Sequence, residues 1–294
     1  MVDFNKKLIV LICLLLTLAT VFVLSSCYTP DKQQKIIDTF NSFDNSEEYI
    51  LITPGEIHVG KNIINIRDLN YNTSPCYVIA GEQNGAYAYS HNPQSEFQID
   101  ILFFEYKTQS LTLLSSLTLP DKILGVDYSD NAFYFETKDP SEGVRLYYIY
   151  DVITAQTQIV DSSEISDDAF KSQDHNRSEL FSITTESSIV KNQTKVTKKS
   201  TGETKYIDNS LLATCTEGQA IYNLGRFGLG NGSCAAYEKD GYIYTVHVYY
   251  VDGALGYPCC YYIMRYDFEA HSFEYYTAIM FEQDPEYIND LFIP

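Results

Sequence analysis

Short aromatic-rich runs are broken by turn residues every few positions, and a two-part repeat returns after 44 and then 48 residues. Together these predict an all-β chain folded as a β-propeller of about five four-stranded blades, after an N-terminal hydrophobic segment. Six blades, or a β-sandwich, share the short-strand pattern. The repeat period favours the propeller.

The first half of the repeat is a turn followed by aromatic alternation. It occurs as Asn84-Gly85-Ala86-Tyr87-Ala88-Tyr89, as Asp130-Asn131-Ala132-Phe133-Tyr134-Phe135 and as Asp240-Gly241-Tyr242-Ile243-Tyr244. Asn-Gly and Asp-Gly mark two-residue hairpin turns because both residues tolerate positive φ, and Asp-Asn substitutes for them. The second half, about twenty residues on, is an apolar strand ending in Tyr, a short turn and another strand. Its copies are 103–109, 148–154 and 264–270, with a fainter one at 197–203. The spacing between the halves is 21, 19 and 25 residues, which identifies them as parts of one unit.

The period predicts blades near 76–119, 121–165 and 233–281 and a weaker one near 176–212. In the second, the strands are expected at Ile123–Tyr128, Ala132–Thr137, Arg145–Tyr150 and Thr157–Asp161. Glu48 to Asn70 also reads as strands, and Glu286 to Pro294 is placed to supply the last one. Pairing strands from both ends of the chain covers edges that an open array leaves exposed. The repeat is similar in architecture to the tyrosine-rich propellers of bacterial envelope proteins. It lacks the Trp-Asp of WD repeats and the Trp of kelch repeats, for the chain has no Trp.

The N-terminus carries Lys6-Lys7, an uncharged Leu8–Leu24 run of 17 residues, and then Leu24-Ser25-Ser26-Cys27. A basic head, an apolar middle and small residues before a cut are the parts of a secretory signal, and 17 residues is the lower edge of what spans a bilayer. Leu-Ser-Ser-Cys resembles the lipobox of bacterial lipoproteins. That resemblance implies cleavage before Cys27, acylation of its thiol, and residence on the extracytoplasmic face of the cell membrane. Two or more acyl chains anchor stably, each buried CH₂ contributing about 0.8 kcal/mol. The domain reading is therefore 1–26 signal peptide, 27–47 polar tether, and 48–294 propeller. A short amphipathic helix is expected at Asp31–Phe43, with Ile36, Ile37 and Phe40 on one stripe.

The formal charge is −19, and −20 once Asp3, Lys6 and Lys7 leave with the signal. Such a surface repels phosphate backbones, so no nucleic-acid partner is expected. Beyond Cys13 and Cys27 the chain has Cys76, Cys215, Cys234, Cys259 and Cys260, an odd number. Adjacent Cys259-Cys260 either closes a strained ring or, on a strand, points one thiol to each face. Burial is the commoner fate of cysteine, which favours the second.

Candidate chemistry is sparse. No histidine among His58, His91, His175, His247 and His271 sits in a metal spacing, and single exposed or edge histidines are expected. Gly225-Arg226-Phe227-Gly228-Leu229-Gly230-Asn231-Gly232 lacks the Lys-Ser/Thr and helix of a phosphate cradle and reads as a loop, with Arg226 and Phe227 as candidate binding residues. The acidic stretch 161–168 lacks the order of a calcium loop and reads as a linker between blades. The tyrosines around 251–258 read as β-packing, apart from Tyr257 at the loop tip, a third candidate contact. No catalytic residue, metal site or cofactor is read from the chain.

The expected function is that of a lipid-anchored binding or scaffold protein for a protein or peptide partner. The alternatives are an envelope glycan hydrolase or lyase with carboxylates at the propeller mouth, and a structural module of an envelope assembly. A deep pocket with two close carboxylates and a histidine distinguishes the enzyme.

Overall fold

The computed structural model describes residues 30–93, 95, 97–119, 122–129, 131–138, 145–161, 176–178, 180–187, 192–224, 235–250, 259–281, 288 and 290–294. These residues form five small sheets arranged as a five-bladed β-propeller. Blade 1 holds β1 (Ile50–Ile52), β2 (Glu56–Val59) and β3 (Asn62–Asn65) together with the last strand, β21 (Asp290–Phe292). Blade 2 runs from β4 (Asn70–Tyr71) through β5 (Ser74–Gly81), β6 (Gly85–His91) and β7 (Gln98–Glu105) to β8 (Ser110–Thr118). Blade 3 is β9 (Ile123–Ser129), β10 (Ala132–Lys138), β11 (Arg145–Asp151) and β12 (Gln156–Asp161). Its strands start and stop within one residue of the sequence expectation.

Blade 4 has three strands, β14 (Phe181–Ser187), β15 (Asn192–Lys198) and β16 (Thr204–Ile207). The two-residue β13 (Asn176–Arg177) before it pairs in parallel with β17 (Ala235–Lys239) of blade 5. Blade 5 continues through β18 (Tyr242–Tyr250), β19 (Cys259–Asp267) and β20 (Ser272–Phe281).

Period-two alternation sends each strand's side chains into two different cores. On β19, Cys259, Tyr261 and Ile263 enter the core against blade 1, while Cys260, Tyr262 and Met264 enter the core shared with blade 4. The two thiols therefore point apart, and both are buried and outside any disulfide. Blade 1 gives Ile50, Ile52 and Ile57 to blade 2, whose Ala86 and Ala88 leave room for Leu102 and Phe104. The opposite face of blade 2 meets Phe133, Phe135, Tyr148 and Tyr150 of blade 3.

Two helices join the blade 4–blade 5 core. Helix α1 (Pro30–Asn41) buries Ile36 and Phe40, with the Phe40 ring 5.9 Å from those of both Tyr249 and Tyr262. The residues after it are held by Asn45, whose Oδ1 accepts from the Tyr275 hydroxyl at 2.6 Å and the Ala278 N–H at 3.0 Å. Helix α2 (Thr216–Asn223), preceded by a 3₁₀ turn over Asn209–Thr214, was not expected from the sequence. It is eight residues long and capped by Cys215, whose Sγ accepts from the Gly218 N–H at 3.3 Å, so it lacks the usual Ser, Thr, Asp or Asn start signal.

The turn chemistry matches the sequence at two of the three first-half turns. Asp240 and Gly241 both take positive φ, and so does Asn131. At Asn84-Gly85 the reason differs. Glu82 N–H bonds to Gly85 C=O, so the turn centres on Gln83-Asn84, and neither Asn84 nor Gly85 is left-handed. Gly85 is required for closeness: a Cβ there meets the Phe104 carbonyl oxygen at 2.3 Å and the Phe103 ring at 2.4 Å.

The second-half turns share a plan, each ending on a left-handed residue: Gln109, Ala155, Gly202 and His271. An L-residue there costs about 1–2 kcal/mol, partly offset in glycine by its greater chain entropy. Ala155→Gly is accordingly expected to raise stability by about 1 kcal/mol, read as a higher denaturation midpoint at unchanged m-value.

The ring is closed by β21, which pairs antiparallel with β1 at Ile50–Phe292, Leu51–Leu291 and Ile52–Asp290. Asp290 is buried and accepts the Gly81 N–H of blade 2 at 2.7 Å, tying three segments distant in sequence. Leu291 is fully buried against Tyr244, Val246 and Ile263. Leu291→Ala is expected to cost about 2–5 kcal/mol, and loss of residues 290–294 to abolish cooperative unfolding, both followed by thermal melts.

Candidate functional site

Among the described residues, a groove of about 770 Å³ lies between blades 1 and 2. One wall is the β2–β3 hairpin, with Val59, Lys61, Asn62, Ile63 and Ile64; the other is the paired turns of blade 2, with Gln83, Asn84, Glu105, Tyr106, Lys107 and Gln109. Gly60 takes φ +55° in the β2–β3 turn, and its N–H ties the hairpin to the start of β1 through Tyr49 C=O at 2.8 Å. The blade 2 turns are held by Tyr106 N–H donating to Asn84 C=O at 3.1 Å. The groove is thus formed by rigid hairpin ends.

Its chemistry is that of recognition. Lys61 and Lys107 have no ion-pair partner among the described residues, and the side-chain amides of Asn62, Gln83, Asn84 and Gln109 have no hydrogen bond among them. Glu105 is engaged by the Thr108 hydroxyl at 2.6 Å. The groove has one carboxylate and no histidine, so the pair of carboxylates expected of a glycan hydrolase is not assembled here. Sequence reading missed the groove, because its residues come from turns of two different blades. The recurring turn pattern located the hairpins without showing which of them face each other.

The residues singled out from the sequence, Cys27, Arg226, Phe227 and Tyr257, lie outside the described residues, as do His175 and most of the acidic stretch 161–168. Tyr250 and Cys259, which flank residues 251–258, pair directly at one end of blade 5, while Ala235, which follows residues 225–234, pairs with Val246 four residues back along the strand. Of the other tyrosines near that loop, Tyr249, Tyr261 and Tyr262 are buried packing residues, as expected.

The histidines correct one expectation: two of the five are buried within the sheets. His58 is covered by the Phe281 ring at 4.7 Å and approaches Glu56 Oε2 at 3.0 Å; burial lowers its pKa, with Glu56 opposing. His247 stacks on Tyr262 at 5.3 Å and shares a 2.8 Å hydrogen bond between its Nε2 and Thr245 Oγ1. Its Nδ1 is buried without a hydrogen-bond partner among the described residues, and burial pushes its pKa down to about 4. His91 and His271 are exposed, and His271 meets the Tyr266 hydroxyl at 2.7 Å. No cluster of three or more His, Cys, Asp or Glu among the described residues is placed to hold a metal ion. No helix among them is long and apolar enough to cross a membrane.

No family model matches the sequence, and no curated protein matches it. Among solved structures, TolB from Acinetobacter baumannii aligns at 12% identity over 78% of this chain and 52% of its own length, with a TM-score of 0.32. Dipeptidyl peptidase 4 from Porphyromonas gingivalis aligns at 10% identity over 74% of this chain and 28% of its own, with a TM-score of 0.28. The chain spans about half of that TolB and less of the peptidase. At such overlap neither likeness transfers an activity, and the fold reading rests on the sheets themselves.

His247 ties stability to pH. Its folded pKa lies below the ordinary 6.5, so the unfolded chain binds the proton first as pH falls. Stability is full above about 6.5 and declines toward 4, by on the order of 3 kcal/mol from this group. His247→Gln is expected to flatten the dependence of Tm on pH across that window, while wild type loses Tm steadily.

Proposed function

We propose that this protein is a lipid-anchored, extracytoplasmic binding or scaffold protein that presents one rim of its propeller to a protein or peptide partner. The groove between blades 1 and 2 carries this reading: rigid hairpin ends hold toward solvent two lysines and four side-chain amides that have no partner among the described residues. Fold alone does not decide function, since propellers serve many. A preorganised polar groove supports binding because little ordering entropy is lost on contact.

The anchor half of the reading rests on the Leu-Ser-Ser-Cys motif and the apolar run before it. Only three peptide units separate Cys27 from Pro30, the first residue of α1. That span reaches at most about 11 Å. Because α1 is packed into the blade 4–blade 5 core through Ile36 and Phe40, an acylated Cys27 holds the propeller close to the bilayer.

Two measurements test the two halves separately. Mass spectrometry of the membrane-extracted protein is expected to show an acylated Cys27 at the mature N-terminus, and Cys27→Ser to release the chain from the membrane fraction. Affinity capture with the detergent-solubilised protein is expected to retain a saturable partner that Lys61→Glu with Lys107→Glu fails to retain. Turnover of an envelope glycan with no retained partner overturns the binding reading in favour of the hydrolase.

A further inference from the structure

The outer strand of blade 1, β3, ends its sheet: it pairs with β2 and, among the described residues, has no strand on its other side. The pairing arithmetic shows which of its backbone groups are spare. Thr53 N–H bonds to Glu56 C=O and Gly60 N–H to Tyr49 C=O, so residues 56, 58 and 60 of the β2 hairpin arm face β1. Residues 57 and 59 then face β3 and meet Ile64 and Asn62. Between them, Ile63 directs its N–H and C=O away from the sheet, because antiparallel neighbours alternate between bonded and non-bonded pairs. Ile63 is also 60% exposed. The edge opens into the groove, since Asn62, Ile63 and Ile64 form one of its walls.

We infer that this edge is a docking site for an extended acidic peptide segment, added as a further strand beside β3. The inference rests on the binding reading above and names the partner's chemistry. Strand addition takes its affinity from main-chain hydrogen bonds and its selectivity from flanking side chains. Here the main-chain groups are those of Ile63, and the flanking groups are Lys61 at the near end and Lys107 across the groove. These two cations have no ion-pair partner among the described residues, in a chain of net charge −19, so the groove selects acidic side chains that most of this surface repels. The amides of Asn62, Gln83, Asn84 and Gln109 are placed to bond the peptide's outer edge or its polar side chains. A lysine and a short length are also ways in which proteins blunt an exposed strand. That accounts for Lys61 and for the four residues of β3. It does not account for Lys107 or the amides on the opposite wall, which belong to another blade.

The test uses the full chain in detergent and three labelled octapeptides read by fluorescence anisotropy. One alternates Glu with Val and Thr, one is the same peptide N-methylated at alternate residues, and one carries Lys in place of Glu. The acidic peptide is expected to bind, to weaken with salt, and to lose roughly tenfold in affinity on Lys61→Glu or Lys107→Glu, both exposed positions. N-methylation on the pairing edge is expected to abolish binding. Equal affinity of the N-methylated peptide, preference for the lysine peptide, or indifference to both charge reversals overturns the proposal. If all three peptides fail while a partner is still captured and the lysine variants lose it, the docking proposal falls and the general binding reading stands. Failure of capture as well brings down that reading too.

Discussion

The propeller depends on one pairing between the ends of its chain. β1 and β21 are more than two hundred residues apart, and their three-rung ladder completes blade 1. Without β21, the inner edge of β1 is unpaired and the core against blade 5 loses Leu291 and Ile293. Asp290 extends the closure to blade 2 through Gly81. Lys239 adds a bond from blade 5 to the Pro294 carbonyl. Blade 1 is thus held by pairing within itself and by contacts to both neighbours.

The second constraint is that each blade serves two cores at once. Alternation along β18 and β19 sends large aromatics in both directions, so the sheet has no solvent face along most of its length. Tyrosine suits this arrangement. Its ring fills the space between blades while its hydroxyl reaches a polar edge, as Tyr275 does at Asn45 and Tyr276 at the Glu48 carbonyl. Lys205 performs a similar service between blades 4 and 5, lying over the Phe268 ring at 4.7 Å and bonding its carbonyl at 2.6 Å. The groove arises where this packing stops: the short β3 leaves a space beside the longer hairpins of blade 2, and the walls of that space are rigid because the hairpins are anchored in cores.

The hairpins show how turn signals are to be read. Asp240-Gly241 works through φ, as the residue types imply, whereas Gly85 works through closeness to Phe103 and Phe104. The same letter in the same motif answers two different steric demands. In the second-half turns a left-handed residue is required at the last position, and Gln, Ala and His occupy it as well as Gly. That requirement is invisible to a search for glycine. The adjacent cysteines were legible for a simpler reason, since strand geometry separates neighbours onto opposite faces and no disulfide joins them.

By itself, the sequence determined what depends on local spacing: strands of alternating period, hairpins at fixed intervals, a repeat long enough for four strands, and the amphipathic stripe that became α1. These are properties of contiguous residues, and neighbouring atoms impose them. Only the tertiary structure decided that His58 and His247 are buried, that a capped helix at 216–223 covers the outer side of blade 5, and that Lys61 and Lys107 face one groove. Those outcomes depend on which blade comes to rest against which. That is set by core volumes summed over residues far apart in the chain, and no window of sequence contains them.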